Sequence, residues 1–258
     1  MRRLLSRGAR LALFAPLETQ GRAEIVLRRL TDAIALGLLD DGEQLPAESE
    51  LATQFGVSPV TVREALTIMR QQKLIMTRRG RGGGSFVCAV PDAPAAILRQ
   101  YLEALTLAQL RDLTDRYAAI AGAAARLAAL RAAEEDIQGL EEVVEELAEA
   151  PDAAARRRAD GLFRIEVAAA AQSSWLTREE LKLQTKVGAL LWLADDGEAG
   201  QRVARDHRAI TAAIADGDAG TARSLAEQHI TQAMDRLRQL RLELARTIPT
   251  RPEHEARP

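Results

Sequence analysis

The segment LPAESELATQFGVSPVTVREAL, residues 45–66, contains the strongest structural signal in the chain. A short helix is predicted over residues 47–55, and Gly56 is expected to end it because glycine readily adopts the left-handed conformation that follows many helices. Ser58 is a favoured N-cap residue and Pro59 a favoured first helical residue, so a second helix is predicted to begin there. Two helices joined by a tight turn are typical of a helix-turn-helix motif.

The flanking residues extend this motif. Apolar residues at helical spacing predict a preceding helix over residues 23–38, and the second helix of the motif is expected to continue to about Gln72. Two β-type runs follow at residues 74–77 and 85–88, and the glycine-rich residues 78–84 between them are typical of a long hairpin tip. The expected order of elements is that of a winged helix-turn-helix.

The remaining sequence contains only helical patterns, with no strand signal beyond residue 90. The predicted helices cover about residues 96–104, 107–132, 134–149, 152–172, 177–194, 199–216 and 218–246. The pairs Thr106 with Gln109 and Thr177 with Glu180 have the spacing of capping boxes and are expected to mark two helix starts. The predicted fold class is therefore mostly α: an N-terminal winged helix-turn-helix with a small β-hairpin wing, and a C-terminal all-helical bundle of six or seven helices.

Composition divides the chain into five expected segments. They are a disordered basic arm (1–20), the winged helix-turn-helix domain (21–90), a linker (91–95), a helical domain (96–247) and a disordered tail (248–258). Residues 1–88 contain 13 Lys and Arg against 9 Asp and Glu, whereas the rest contains 22 against 28. This asymmetry favours nucleic-acid contact through the front of the chain.

The location expected from composition is the cytoplasm. The single cysteine, Cys88, cannot form an internal disulfide, which fits a reducing compartment. No apolar run approaches the roughly 20 residues that a membrane helix needs. No membrane contact is therefore expected.

The start of the second motif helix carries residues suited to reading DNA. Ser58, Val60, Thr61 and Arg63 fall in its first turns, the part of a recognition helix that faces base edges in the major groove. Thr61 can donate to a phosphate or a base, and Arg63 can donate two hydrogen bonds to guanine.

The predicted wing is also basic. Residues 58–81 contain six basic side chains and one acidic one, and Arg79 and Arg81 lie beside glycines, which would let them approach the DNA backbone or minor groove. The alternative reading of such a run is a solvated face. The order of elements and the Ser-Pro helix start favour DNA binding.

Residues 24–88 resemble the DNA-binding domain of the GntR family of regulators. The matching stretches are LLDDGEQLPAESELATQFGVS (38–58), VTVREAL (60–66) and GRGGGSFV (80–87). The resemblance implies that the second and third helices and the wing contact DNA, and Thr61, Arg63, Arg79 and Gly80 match the family's reading positions. Ser49 and Pro59 depart from the family pattern: many members carry arginine in place of Ser49, and arginine or another polar residue is usual in place of Pro59. The residues expected at the DNA interface are Ser49, Ser58, Val60, Thr61, Arg63, Arg79, Gly80 and Arg81.

Few polar residues in the helical part have a suggestive spacing. Asp160 and Arg164 lie one helical turn apart, and His207 and His229 lie on two later helices. Spacing alone leaves two readings open: internally hydrogen-bonded histidines, or a shared site.

Residues 96–246 are similar to the FCD ligand domain of the FadR subfamily. The matching stretches are RLAAL (126–130), DGLFRIEVAAAAQSSWL (160–176) and DHRAITAAIADGDAGTARSLAEQHI (206–230). In many such domains an aspartate and three histidines bind a divalent metal such as zinc, and a small carboxylate effector completes its coordination. Asp160, His207 and His229 match three of these positions, whereas Arg164 stands at the fourth and Ser173 replaces a common asparagine.

The arginine changes the expected chemistry, because a guanidinium stays protonated and has no lone pair for a metal. Two outcomes are open. In the first, a metal is held weakly by Asp160, His207 and His229, and Arg164 is turned to the effector. In the second, the metal is lost and Arg164 itself binds an anionic ligand. The second is favoured. Arg116 is a further candidate for the effector cavity, with a surface charge as its alternative, and Trp175 and Trp192 are expected to fill core or dimer contacts.

The sequence therefore predicts a transcription regulator and not an enzyme. The resemblance implies a repressor, the commonest case in the family, with an activator as the alternative. A homodimer is expected to bind a pseudo-palindromic double-stranded operator, under control of a small acidic metabolite. Two alternatives remain. One is a metal-dependent helical-bundle enzyme, although no nucleophile with its base and no Glu-x-x-His pair is present; the other is a DNA-binding protein with a non-functional sensor domain.

Overall fold

The structure is a computed structural model that describes residues 21–36, 38–39, 41–80, 82–88, 95–193 and 198–247. Several expectations fall outside these residues: the basic arm (1–20), Arg81, the linker at 91–94 and the tail (248–258). The N-terminal part, residues 21–88, is called the head, and residues 95–247 are called the bundle.

The head is a winged helix-turn-helix, as the sequence predicts. Its elements are α1 (Arg22–Ala35), α2 (Glu48–Phe55), α3 (Pro59–Gln71), β1 (Ile75–Arg78) and β2 (Gly84–Val87). The two strands pair antiparallel, with Ile75 opposite Val87 and Arg78 opposite Gly84. Compared with the prediction, α1 ends three residues earlier and both strands are displaced by one residue.

Local chemistry fixes the start of α3. Ser58 lies in an extended conformation and its hydroxyl oxygen accepts a hydrogen bond from the backbone N–H of Thr61 at 3.2 Å, while Pro59 occupies the first helical position. Gly56 ends α2 with a φ of 66°. Val62, Leu66 and Met69 then turn the opposite face of α3 into the core of the head. The front of α3 is thereby left facing solvent.

The bundle is all-helical in the described residues, as expected. Its helices are α4 (Ala95–Ala104), α5 (Leu107–Arg131), α6 (Glu134–Ala148), α7 (Ala153–Ala170), α8 (Ser174–Leu183), α9 (Ala199–Ala215) and α10 (Ala219–Thr247). The long helices α5 and α10 make the most extensive contact, and α6 packs on α7 and α9. None of the described helices has both the length and the apolar character needed to span a membrane.

The predicted helix over residues 177–194 is wrong at its start and in its interior. Ser173 caps α8, and Thr177 lies inside that helix, where its hydroxyl donates to the carbonyl oxygen of Ala168 at 3.0 Å. After α8 the chain forms a π-helical turn at Gln184–Gly188 and a 3₁₀ turn at Leu190–Trp192. Tertiary contacts, which the spacing of residues does not report, therefore override the capping-box pattern.

Helix α7 joins the two parts of the molecule. Ile165 is buried in the hydrophobic core of the head, and Leu162 and Ala169 of α7 pack partly against that core, as does Leu181 of α8. The side chain next to Ile165 in sequence, Arg164, is buried in the bundle instead. One helix thus contacts both hydrophobic cores.

Candidate DNA interface and effector site

The N-terminal end of α3 is exposed in a way that suits contact with a large partner. Val60 is 68% exposed, and the side chain of Arg63 is 61% exposed. Thr61 is half-buried between them, and Ser49 on α2 is exposed. An apolar side chain can contact a thymine methyl group and an arginine can read guanine, so this end has the chemistry of a base-reading surface.

Arg63 is held in place by a residue that the sequence interpretation missed. Its Nε and Nη2 donate to Oε2 of Glu48, the first residue of α2, at 3.0 and 2.9 Å. Both side chains are partly exposed, so water screens this pair and its effect is on orientation more than on stability. The hydroxyls of Ser58 and Thr61 lie 2.9 Å apart and hydrogen-bond to each other.

The wing tip places Arg79 and Gly80 in solvent. Gly80 and Gly82 have φ values of 102° and 80°, which side chains rarely permit. The carbonyl oxygen of Gly83 accepts a hydrogen bond from Nε2 of Gln44 at 3.1 Å, so the tip is tied to the segment before α2. The glycine-rich turn is therefore held at its base.

Four predicted effector residues converge in the bundle. Asp160 and Arg164 come from α7, His207 from α9 and His229 from α10, and they are called the Asp-Arg-His cluster below. Ligand atoms of Asp160, His207 and His229 all lie within 4.8 Å of one another, which is close enough to hold a metal ion. Their burial is nearly complete.

The guanidinium of Arg164 lies among these atoms. Its Nη2 donates to both carboxylate oxygens of Asp160 at 2.8 and 2.9 Å, and its Nε donates to Oδ1 at 3.1 Å. Nη2 also lies 3.2 Å from Nε2 of His229. In this arrangement the cluster does not fit a divalent ion, because a permanent cation already uses the oxygens and a ring nitrogen that would bind it.

The charge state of Asp160 follows from this contact. Burial alone would raise the pKa of its carboxyl group, but the positive charge of Arg164 and a contact with His207 hold the pKa well below its usual range. Asp160 is therefore a carboxylate, and it forms a buried, hydrogen-bonded ion pair with Arg164.

The two histidines differ. His229 accepts from Arg164, since a guanidinium only donates, and its Nδ1–H donates to Oδ2 of Asp206 at 2.9 Å, which gives a neutral ring with its proton on Nδ1. His207 stacks on Phe163 with ring centroids 3.8 Å apart, and burial lowers its pKa to about 4. Nε2 of His207 lies 3.3 Å from Asp160, but neither ring nitrogen makes a well-formed hydrogen bond to the described residues.

Sequence reasoning missed the polar partners around Arg164. Tyr117 accepts from Nη1 of Arg164 at 3.1 Å and donates to the carboxyl group of Glu180 at 2.9 Å, and burial raises the pKa of that carboxyl group. Trp192 donates its indole N–H to Oδ2 of Asp160 at 2.9 Å, so it belongs to the site and not to a plain apolar core. Trp175, which was expected in core or dimer contacts, is 55% exposed. One signal for Tyr117 was available, since it is one of two tyrosines in the chain.

A cavity of about 30 Å³ lies beside Arg164, large enough for one or two water molecules. Its polar lining consists of Arg164, Glu180, His207 and His229, and the rest is apolar. Asp160 lies behind Arg164 and is not in the lining. Arg116 also lies outside it: its half-exposed guanidinium pairs with Glu179, so the structure does not place this candidate in the cavity.

Comparison with known proteins identifies both parts of the chain. The model of the gntR family of bacterial regulatory proteins matches residues 22–84, and the FCD domain model matches residues 112–232. An HTH-type transcriptional regulator named RmpR from Mycobacterium gastri is 36% identical over 236 residues, which cover 90% of this chain and 86% of RmpR.

Two further relatives match the head and the fold. The mannosyl-D-glycerate transport/metabolism system repressor MngR of Escherichia coli is 46% identical over 54 residues, which are 21% of this chain and 22% of MngR. The structure of E. coli McbR/YncC has a TM-score of 0.51 at 19% identity and covers 86% of this chain and 99% of that one, which shows a shared fold.

These matches cover the head, the bundle and most of the chain's length, and the fold agrees with them. Proteins of this kind bind DNA operators, commonly as dimers, and are transcription regulators and not enzymes. The chain belongs to the GntR family of bacterial transcription regulators, in the FadR-like group that joins a winged helix-turn-helix to an FCD effector-binding domain.

Proposed function

We propose that this regulator is a repressor that binds a pseudo-palindromic operator as a homodimer and releases it when a small acidic metabolite enters the bundle. The N-terminal end of α3 reads base edges in the major groove, with Val60, Thr61 and Arg63 as the reading residues. Ser49, Ser58 and the wing residues Arg79, Gly80 and Arg81 contact the DNA backbone. The repressor MngR, which resembles the head, is consistent with this direction of regulation.

The exposed front of α3 is the observation that supports operator reading most directly. Val60 and Arg63 project from it while its opposite face is buried, so base contact would cost no rearrangement of the head. Glu48 lies beside Arg63 and restricts its guanidinium to one orientation. A bidentate arginine that is held in place loses less freedom on binding guanine.

Arg63→Ala tests this interface. The operator is first selected from a library of random duplexes with the wild-type protein, and binding is then measured by fluorescence anisotropy across a range of salt concentrations. Arg63→Ala is expected to weaken binding about 5- to 150-fold, because a bidentate base contact is worth roughly 1–3 kcal/mol. Affinity of the wild type should fall steeply with salt as phosphate counterions are released.

The matched control is Arg126→Ala, which removes the same charge from an exposed position on α5. It should leave operator affinity unchanged. Equal losses in the two variants, or binding that does not depend on salt, would contradict the proposed interface.

The effector site is the cavity beside the Asp-Arg-His cluster. A buried histidine without a well-formed hydrogen bond, next to an arginine, suits a ligand that brings a carboxylate and a hydroxyl or keto oxygen. Of the two outcomes left open by the sequence, weak metal binding by Asp160, His207 and His229 or anion binding by Arg164 alone, the contacts of Arg164 favour the second. Since the cavity is small, the helices around it must separate for a metabolite to enter.

Thermal-shift measurements with pyruvate, lactate, malonate and succinate test the effector class. At least one is expected to raise the melting temperature and weaken operator binding, and to do neither in a His207→Leu variant. If none of them and no wider set of organic anions shifts either property, the head would be a DNA-binding module with a non-functional sensor.

A further inference from the structure

Arg164 forms hydrogen bonds with most of the atoms of the cluster that could otherwise bind a metal. Both oxygens of Asp160 accept hydrogen bonds from its guanidinium. The lone pair on Nε2 of His229 also points to Nη2, because Nδ1 of the same ring is used by Asp206. Of the three groups that would ligate a metal, only His207 keeps a free ring nitrogen among the described residues.

The charges of Arg164 and Asp160 also compensate each other inside the cluster. The side chains of Arg164 and Asp160 are 7% and 2% exposed, so each charge depends on the other for compensation. A divalent ion at this place would bring two more positive charges within reach of a guanidinium that cannot lose its proton. It would also have to take Asp160 from a partner with three donor contacts.

Further contacts hold the guanidinium from its other side. Tyr117 on α5 accepts from Nη1, and the same hydroxyl receives a hydrogen bond from Gln184 in the π-helical turn. The indole N–H of Trp192 donates to Oδ2 of Asp160. Three separate segments of the bundle thus meet on the Asp160–Arg164 pair, as helices meet on a structural metal ion.

We propose that the Arg164 guanidinium serves as the built-in cation of this site in place of a divalent metal, so that the bundle folds and binds its ligand without one. The part of this inference that concerns the ligand rests on the proposed function. The part that concerns the metal does not. Arg164 organises Asp160, His229 and Tyr117, and its side chain lines the cavity that the ligand would enter.

The experiment uses zinc as the probe and the full-length protein, stripped with EDTA and dialysed. Calorimetry, native mass spectrometry and thermal denaturation are compared for the wild type, for Arg164→His and for Arg164→His combined with Asp160→Asn. The wild type is expected to bind no zinc at the cluster and to keep its melting temperature in EDTA. Arg164→His should bind one zinc ion per protomer and melt about 5–10 °C higher at a zinc concentration 100 times the dissociation constant.

The double variant controls for zinc on surface carboxylates, and it should lose most of the gain. If Arg164→His folds only when zinc is added, that result also supports the proposal. One zinc ion per wild-type protomer that is lost in His229→Ala would overturn it, as would a folded Arg164→His protein that gains no zinc. If the Arg164→His variant does not fold under any condition, the zinc content of the wild type alone tests the proposal. If the zinc measurements contradict this inference, operator binding should still be observed. If the proposed function is wrong, the DNA-binding and carboxylate assays would show it.

Discussion

At the scale of single residues, the Asp160–Arg164 pair governs the interior of the bundle. Asp160→Asn removes the negative charge and leaves a buried guanidinium that cannot deprotonate, so the free energy of unfolding should fall by about 3–5 kcal/mol. Urea denaturation followed by circular dichroism measures this loss.

The matched control for this prediction is the double variant Asp160→Asn with Arg164→Met. It removes both charges while it keeps an acceptor for Trp192, and it should recover most of the stability because a buried pair is often replaceable by neutral side chains. A double variant as unstable as the single one would show that the charge imbalance is not the cause.

The same residues show what sequence can and cannot reveal about a site. The pairing of Asp160 with Arg164 was predictable, since side chains four residues apart on a helix are neighbours. Tyr117 and Trp192 bond to the pair from distant segments, and Glu180 bonds to Tyr117; no local pattern places them there. Glu180 was even assigned to a capping box, although it is buried beside Tyr117.

At the scale of elements, α7 connects the bundle with the head. Arg164 points into the Asp-Arg-His cluster and Ile165 into the core of the head. Ile165→Ala should lower the free energy of unfolding by about 2–5 kcal/mol, because it removes buried methyl groups between two packed units. Urea denaturation of the full-length protein measures it.

Ile97→Ala on α4 is the comparison for this change, since Ile97 is 55% exposed and its truncation should cost less than about 0.5 kcal/mol. Similar losses in both variants would mean that the head and the bundle do not share a core at Ile165. In that case α7 would not be the mechanical connection between them.

Element boundaries were predictable where the signal is local. Ser58 and Pro59 define the start of α3 by their own chemistry, and the structure confirms it. The start of α8 was misplaced because Ser173 caps it and Thr177 bonds to Ala168 on another helix. The π-helical turn after Leu183 was also missed, since helical periodicity continues through such a turn with only one extra residue.

At the scale of the whole molecule, one head offers a single recognition helix, whereas tight and specific operators need two half-sites. The selected duplex should therefore be an inverted repeat with half-site centres about 34–36 Å apart or a multiple of that distance. Light scattering of the complex should give two protomers per duplex. Randomising one half-site should weaken binding strongly; a single protomer that binds a single half-site with full affinity would contradict the dimer.

The indole of Trp192 against the Asp160 carboxylate gives the protein its own optical probe. Only one other tryptophan is present, the exposed Trp175, so replacing Trp175 with phenylalanine leaves a single tryptophan, hydrogen-bonded to Asp160. The fluorescence emission of Trp192 should then change when Asp160 moves. It can be recorded continuously and without a label, both with and without the operator duplex.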